Sequence, residues 1–206
     1  MTINPSLVIA VEDELSGAVM CRLISFSGRN FTINRVFNAR GNARLKDGMT
    51  KFRAASRVLP HIVLTDLDRC PCPPELINNW NAKQLPPQLM FRIAVREVEA
   101  WLMADRAGIA EFLHIDISKV PNAPETEEDP KRTLINLARK SRKRRLSQEI
   151  VPEAGSSAKI GPLYNTHFVN FVNSIWDIEQ ACLCAPSLDR TLSRISTFLP
   201  EYPIKH

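Results

Sequence analysis

Acidic side chains directly follow two apolar runs of strand length. Glu12 comes after the run 7–11, and Asp66 and Asp68 come after the run 61–65. Clustered carboxylates repel one another unless a cation neutralises them, and oxygen ligands favour Mg²⁺, Mn²⁺ or Ca²⁺ over zinc. Such a metal suits phosphoryl transfer or phosphodiester cleavage, where it activates water and neutralises phosphate charge. Glu12 can then act as a general base or acid.

The same acids also have an ordinary structural interpretation. Acidic residues after strands are common turn formers and helix caps, and a D-x-D pair alone is a weak motif. Asp13 and Glu14 fit that role at the start of the next helix. The placement of E-D-E and D-x-D after two buried strands nevertheless favours the metal site.

The surrounding pattern predicts the elements that bring these acids together. Apolar spacing predicts strands over 31–37 and 89–95 and helices over 16–25, 49–59, 75–82 and 97–104. The segment 41–48 is predicted as a loop. Strands alternating with helices indicate a doubly wound, mostly parallel α/β sheet. Its site would lie beyond the carboxyl ends of the strands, where both acidic groups fall.

The pattern becomes helical after about residue 115. Pro130 opens a predicted helix that runs toward Arg145, and further helices are predicted over 165–180 and 188–198. We therefore predict an α/β core over 1–115 and a helical C-terminal portion over 116–206, packed on the same domain.

The net charge of +5 is not spread evenly along the sequence. Six of the seven residues in 139–145 are basic: Arg139, Lys140, Arg142, Lys143, Arg144 and Arg145. This run predicts contact with the phosphates of DNA or RNA. Favourable placement of cations in the last turn of a helix explains part of it equally well.

Several classes of protein are disfavoured. The N-terminus lacks the basic flank and cleavage site of a signal peptide, and no apolar stretch approaches the roughly 18–20 residues of a membrane span. We therefore expect a cytoplasmic protein that does not bind a membrane. Five cysteines are an odd number, and their Cys-x-Cys spacing is short for zinc. No P-loop motif occurs, so nucleotide hydrolysis would need a partner ATPase.

The two acidic segments resemble a known domain. Val-Ile-Ala-Val-Glu12 and Ile-Val-Leu-Thr-Asp66-Leu-Asp68 are similar to the Toprim domain of topoisomerases, primases and overcoming-lysogenization-defect nucleases. The segments VEDELSGAV, RIAVREVEAWLMAD, DPKRTLINLARKSR and KIGPLYN resemble small stand-alone Toprim-like proteins, often encoded beside an ATPase in bacterial defence loci. The resemblance implies that Glu12 is the catalytic acid or base and that Asp66 and Asp68 hold Mg²⁺. Many Toprim proteins have glycine where this chain has Asp13.

Two further residues enter the predicted site. Glu99, like Glu97, follows the strand 89–95 and is in a segment that carries the resemblance, although acids are also favoured in any first helical turn. Lys159 lies in a Gly/Ser loop, and the resemblance to related nucleases implies that it reaches the scissile phosphate. An ordinary surface lysine is the alternative.

The sequence thus predicts a Toprim-like nuclease that depends on Mg²⁺ or Mn²⁺ and works with a partner ATPase in phage defence. One alternative is a non-catalytic Toprim-like regulatory subunit that docks on an ATPase. Another is a hydrolase of small phosphate esters, which would not need the basic run.

Overall fold

A parallel sheet of four strands forms the centre of the α/β part of the chain. The computed structural model describes residues 5–200. The strands are β1 (Ser6–Val11), β2 (Thr32–Asn38), β3 (His61–Asp66) and β4 (Leu89–Ala94), in the spatial order β2-β1-β3-β4. All three strand pairs are parallel. The predicted α/β fold with a parallel sheet is confirmed.

Helices connect the strands and continue to the C-terminal side. They are α1 (Glu14–Phe26), α2 (Asn42–Ala55), α3 (Pro73–Asn79), α4 (Val98–Ala104), α5 (Arg106–Leu113), α6 (Pro130–Arg139), α7 (Arg144–Ile150), α8 (Tyr164–Ser174), α9 (Ile178–Cys184) and α10 (Pro186–Ser196). The chain goes from β1 outward to β2, then crosses back to β3 and on to β4. With right-handed crossovers, α1 covers one face of the sheet, while α2 and α3 cover the other.

Burial of the central strands explains why their continuous apolar runs could be recognised in the sequence. Every residue of β3 is buried and β1 is buried along most of its length, because a central parallel strand has helices over both faces. The edge strand β2 is largely exposed and alternates in composition instead.

Three predicted elements were wrong. Helix α2 begins at Asn42, so the segment 41–48 is not a loop. Gly48 is helical, and a Cβ atom there would lie 2.8 Å from the ring of Phe52. The helix that opens at Pro130 ends at Arg139 instead of reaching Arg145. The predicted helix over 165–180 is interrupted, and Asp177 caps the second part by accepting a hydrogen bond from Gln180 N.

The described chain divides into two compact units. Among residues 5–200, the first consists of residues 5–94 and 190–200, and the second consists of residues 95–189. The first unit therefore contains the sheet with α1, α2 and α3. The predicted division at residue 115 rests on the change of sequence pattern and stays a prediction.

A buried polar framework holds the second unit together. The indole Nε1 of Trp101 donates to Ser187 Oγ at 2.8 Å, and that of Trp176 donates to Trp101 O at 3.2 Å. Asp105 accepts hydrogen bonds from the backbone N–H groups of Gly108 and Asp177.

Between residues 5 and 200, none of the helices has the length and apolar character that crossing a bilayer requires.

Candidate functional site

Glu12 lies at the carboxyl end of β1, next to the neighbouring strand β3. It follows β1 directly, and its carbonyl oxygen accepts a hydrogen bond of 2.9 Å from Gly41 N, just before α2. The register pairs Val8 with His61 and Ala10 with Val63, so its continuation sets Glu12 opposite Thr65. The strand order reverses between β1 and β3, which is the switch point where open α/β sheets bind their ligands.

One oxygen of the Glu12 carboxyl group accepts three hydrogen bonds. Thr65 Oγ1 donates to Oε1 at 2.5 Å, the backbone N–H of Asp66 at 3.0 Å, and Asn42 Nδ2 at 3.1 Å. Asn42 Nδ2 also lies 3.2 Å from Thr65 Oγ1. All three donors fix the carboxyl group through Oε1. Within residues 5–200 no donor reaches Oε2, which leaves that oxygen as the one that can take a proton or a cation.

The surroundings of Glu12 alter its acidity. The side chain is only 8% exposed, and burial raises its pKa above the ordinary value for glutamate. The hydrogen bonds from Thr65 and Asp66 N–H oppose that rise, whereas the negative charge of Asp68 adds to it. A carboxyl group with a raised pKa is better suited to exchange protons near neutral pH.

Asp66 and Asp68 differ in their setting. Asp66 is the last residue of β3 and is buried, while Asp68 is exposed. The chain does not stay extended as far as Asp68, which has a left-handed backbone with φ of 50°. Leu67 N donates to Ala94 O at 2.8 Å, which fixes the chain just before that turn. The charge of Asp68 still acts on Glu12.

These acids do not form a complete cage for a metal ion. No three His, Cys, Asp or Glu side chains are grouped as metal ligands anywhere in the described chain. Mg²⁺ usually takes only one or two carboxylates and completes its shell with water and substrate phosphates. Asp68, whose charge acts on Glu12, offers one carboxylate for that kind of open oxygen site. Asp66 is the next carboxylate along the same strand end.

The other acids of the E-D-E turn are explained by helix capping. Asp13 Oδ1 accepts a hydrogen bond of 2.8 Å from Ser16 N and so caps α1, as predicted. Glu14 is exposed in the first turn of that helix. These roles separate Glu12 from its two acidic neighbours.

Thr65 and Asn42 were missed as site residues. Thr65 is a polar residue, only 1% exposed, at the end of an otherwise apolar strand, and that contrast was the available signal. Asn42 was placed in a predicted loop, whereas it is the first residue of α2. Its contact with Glu12 depends on the sheet order, which local sequence patterns do not specify.

The second unit holds Glu97 and Glu99 in a network with Lys131. Glu99 is 1% exposed, and its Oε1 lies 3.2 Å from Lys131 Nζ and 3.0 Å from Tyr164 Oη. Glu97 Oε2 accepts a 2.8 Å hydrogen bond from Lys131 N. Burial, followed by the charge of Glu99, raises the pKa of Glu97 to about 7. These contacts join α4, α6 and α8, and the catalytic role predicted for Glu99 stays a prediction.

Lys159 and the basic run also belong to the second unit. Lys159 is exposed in the connection between α7 and α8. Arg139 ends α6 and Arg144 begins α7, so the basic run forms an exposed turn between two helices. Arg145 pairs with Glu149 at 2.8 Å, and Arg139 donates to Asn136 Oδ1 at 2.8 Å.

The first unit has a cavity away from Glu12. A cavity of about 560 Å³ is lined by Arg53, Asn78, Asn81, Lys83 and Gln84. Arg53 lies in the last turn of α2, whereas Asn42 begins it, which separates the two along the helix by roughly 16 Å. Arg53 is already engaged, since its guanidinium donates to Gln84 O at 2.7 Å and to Asn81 O.

Neither protein-family models nor curated proteins nor solved structures match the chain.

Proposed function

We propose that the chain hydrolyses phosphodiester bonds of nucleic acid with the help of Mg²⁺ or Mn²⁺. The observation that carries this proposal is the Glu12 carboxyl group. It is buried at the switch point of the sheet, held through Oε1 by Thr65, Asp66 N–H and Asn42, and placed within the field of Asp68. The similarity of these segments to the Toprim domain supports the same activity.

Glu12 has the properties that a general acid or base requires. Hydrolysis forms a bond from water oxygen to phosphorus and breaks the bond to the leaving oxygen, so a proton leaves the water and a proton reaches the leaving group. Glu12 Oε2 accepts the first proton and can return it, while the donors on Oε1 hold the carboxyl orientation. A divalent cation held by Asp68, with Asp66 nearby in sequence, would neutralise phosphate charge, while Glu12 Oε2 handles the proton.

The basic turn between α6 and α7 supports a polymeric substrate. Lys140, Arg142, Lys143 and Arg144 are exposed and have no ion pair within residues 5–200. Phosphate contacts of this kind supply most of the affinity of proteins for nucleic acids. A hydrolase of small phosphate esters would keep its activity when these side chains are neutralised, whereas a nuclease would bind its substrate more weakly.

The decisive experiment compares Glu12→Gln with Glu14→Gln. The purified chain is incubated with labelled single-stranded DNA, double-stranded DNA and RNA in Mg²⁺ or Mn²⁺. Glutamine at position 12 can still accept the three hydrogen bonds but cannot take a proton, so cleavage should fall by about 10²–10⁴-fold. Glu14→Gln makes the same chemical change at an exposed position and should leave cleavage within about twofold.

Equal cleavage by the wild-type chain and Glu12→Gln would refute the assignment of Glu12. An equal loss in both variants would point to a general charge effect.

A non-catalytic subunit that docks on an ATPase is the second candidate. It is favoured by the different settings of the two aspartates, since Asp66 is buried and Asp68 is exposed. If no substrate is cut, even with a neighbouring ATPase and ATP present, this candidate replaces the nuclease. Phage defence with such a partner is part of the same proposal.

A further inference from the structure

Three arginines of the first unit are gathered at the edge of the sheet. Arg92 is on β4, an edge strand, where it pairs in register with Leu64. Its Nε donates to Thr191 Oγ1 at 3.2 Å, which fixes the guanidinium against residues 190–196 of α10. Arg190 precedes Thr191 and Arg194 is one helical turn after Arg190, so both are near this contact.

The positive charges of these arginines act on one another. Burial lowers the pKa of Arg92, and the charges of Arg190 and Arg194 lower it further. Like charges separated by one turn of a helix destabilise it, and partial burial increases that cost. None of the three forms an ion pair with a carboxylate within residues 5–200. The cluster therefore has an uncompensated positive charge.

The donors of the cluster remain available for a ligand. An arginine has five N–H donors, and Arg92 uses only Nε within the described residues. The four N–H groups on Nη1 and Nη2 are left over. Arg190 and Arg194 are exposed. The acid on the same helix, Asp189, belongs to the second unit, where its charge raises the pKa of Cys182.

We propose that Arg92, Arg190 and Arg194 bind backbone phosphates of a nucleic-acid strand. Guanidinium groups match phosphate oxygens through paired N–H donors, and an anion would relieve the repulsion among the three charges. Two of the three are on an exposed helix surface, which suits a polymer that passes over it better than a small ligand that needs a concave site. The choice of nucleic acid rests on the proposed function.

The test measures binding without cleavage. The whole chain is titrated into a fluorescent single-stranded oligonucleotide in EDTA, across a series of salt concentrations. The double variant Arg190→Gln with Arg194→Gln should raise Kd about tenfold or more. Its slope of log affinity against log salt should become shallower by about 1.4, since each lost contact to a single strand contributes about 0.7.

A matched pair of substitutions controls for net charge. Lys51→Gln with Arg57→Gln removes the same two charges from exposed positions on and just after α2. This pair should change Kd by less than about threefold and leave the slope nearly unchanged. Arg92→Lys keeps the positive charge but loses the paired N–H donors of the guanidinium, so it should weaken binding by an intermediate factor. The melting temperature of this variant is measured alongside to check that it stays folded.

The outcomes separate this site from other ligands and from the proposed function. Equal losses in the two double variants, or no loss in either, would overturn the phosphate site. So would a loss that appears only with ATP or with an acidic peptide as the probe. Because EDTA prevents cleavage, failure of the nuclease proposal leaves the binding result standing, and normal cleavage with unchanged binding refutes only this site.

Discussion

The hydroxyl group of Thr65 has a specific function at the scale of single residues. It donates the shortest of the three hydrogen bonds to Glu12 Oε1, at 2.5 Å. Thr65→Val should therefore raise the pKa of Glu12 further, because a donor that stabilises the ionised form is lost. The free energy of unfolding should fall by about 1–2 kcal/mol.

Carboxyl carbon chemical shifts, followed by NMR across a pH titration, would measure this change. Thr65→Ser restores the hydroxyl and should bring the pKa of Glu12 back toward the wild-type value. An unchanged titration in Thr65→Val would mean that the hydroxyl does not control this acid.

Glu97 makes stability depend on pH. Its pKa is raised to about 7 in the folded chain and is near 4.5 when unfolded. The folded state therefore holds this proton more tightly, so the stabilisation is complete below pH 4.5 and is lost as pH rises toward 7. Glu97→Gln stays neutral, accepts the same hydrogen bond from Lys131 N, and should stabilise the chain by about 1–3 kcal/mol at pH 8.

Urea unfolding at pH 5 and pH 8 would test this prediction. The gain from Glu97→Gln should shrink at the lower pH. Glu128→Gln, an exposed position in the same unit, should show no such pH dependence. A gain of equal size at both pH values would exclude the titration of Glu97 as its cause.

At the scale of elements, the connection between α7 and α8 depends on close packing of its backbone against the end of α7. Gly161 N donates to Ile150 O at 2.8 Å, and a Cβ atom at Gly161 would lie 2.4 Å from the carbonyl carbon of Ile150. Neither backbone can move without disturbing this contact. Gly161→Ala should therefore lower the free energy of unfolding by about 2–4 kcal/mol.

Gly155 provides a comparison from the same connection. It has φ of 81° but nothing within 4 Å of an added Cβ atom. Gly155→Ala should cost only about 1–2 kcal/mol, which reflects the left-handed backbone alone. Urea midpoints of the two variants would measure the difference, and equal costs would contradict the packing explanation.

Local patterns predicted elements better than they predicted contacts between them. The runs before Glu12 and Asp66 identified β1 and β3 because buried parallel strands are continuously apolar. Gly41 and Gly48 suggested a loop. Gly48 nevertheless lies within α2, where the ring of Phe52 occupies the space that a Cβ atom would take. The left-handed backbone of Asp68 had only a weak sequence signal, since aspartate is a common turn former.

The site depends on contacts between residues that are far apart in the sequence. Glu12 and Thr65 are 53 residues apart and meet because β1 and β3 are neighbours in parallel register. Asn42 joins them only because Gly41 N, just before α2, donates a hydrogen bond to Glu12 O. Acids at strand ends could be predicted from the sequence, but the hydrogen-bond donors that hold them could not.

At the scale of the whole molecule, the first unit is built from two separate stretches of chain. Phe198 belongs to the later stretch and is buried, its ring centroid lies 6.2 Å from that of Phe31, and its carbonyl oxygen accepts a hydrogen bond from Arg29. Phe198→Ala should therefore cost about 3–5 kcal/mol. Leu199→Ala, at a residue 74% exposed, should cost less than about 0.5 kcal/mol.

Thermal or urea unfolding of the two variants would check this expectation. A small effect of Phe198→Ala would mean that the later stretch contributes little to the stability of the first unit.

This arrangement has a consequence for synthesis of the protein on the ribosome. The sheet strands are complete once Ala94 is made, but residues 190–200 follow only after the whole second unit. At about 5–20 residues per second, that gap lasts roughly 5–20 s. During this interval the surfaces that later receive Thr191, Ile195 and Phe198 remain uncovered in the nascent chain. Chaperones that bind emerging apolar segments would meet the first unit in that period, before its last stretch arrives.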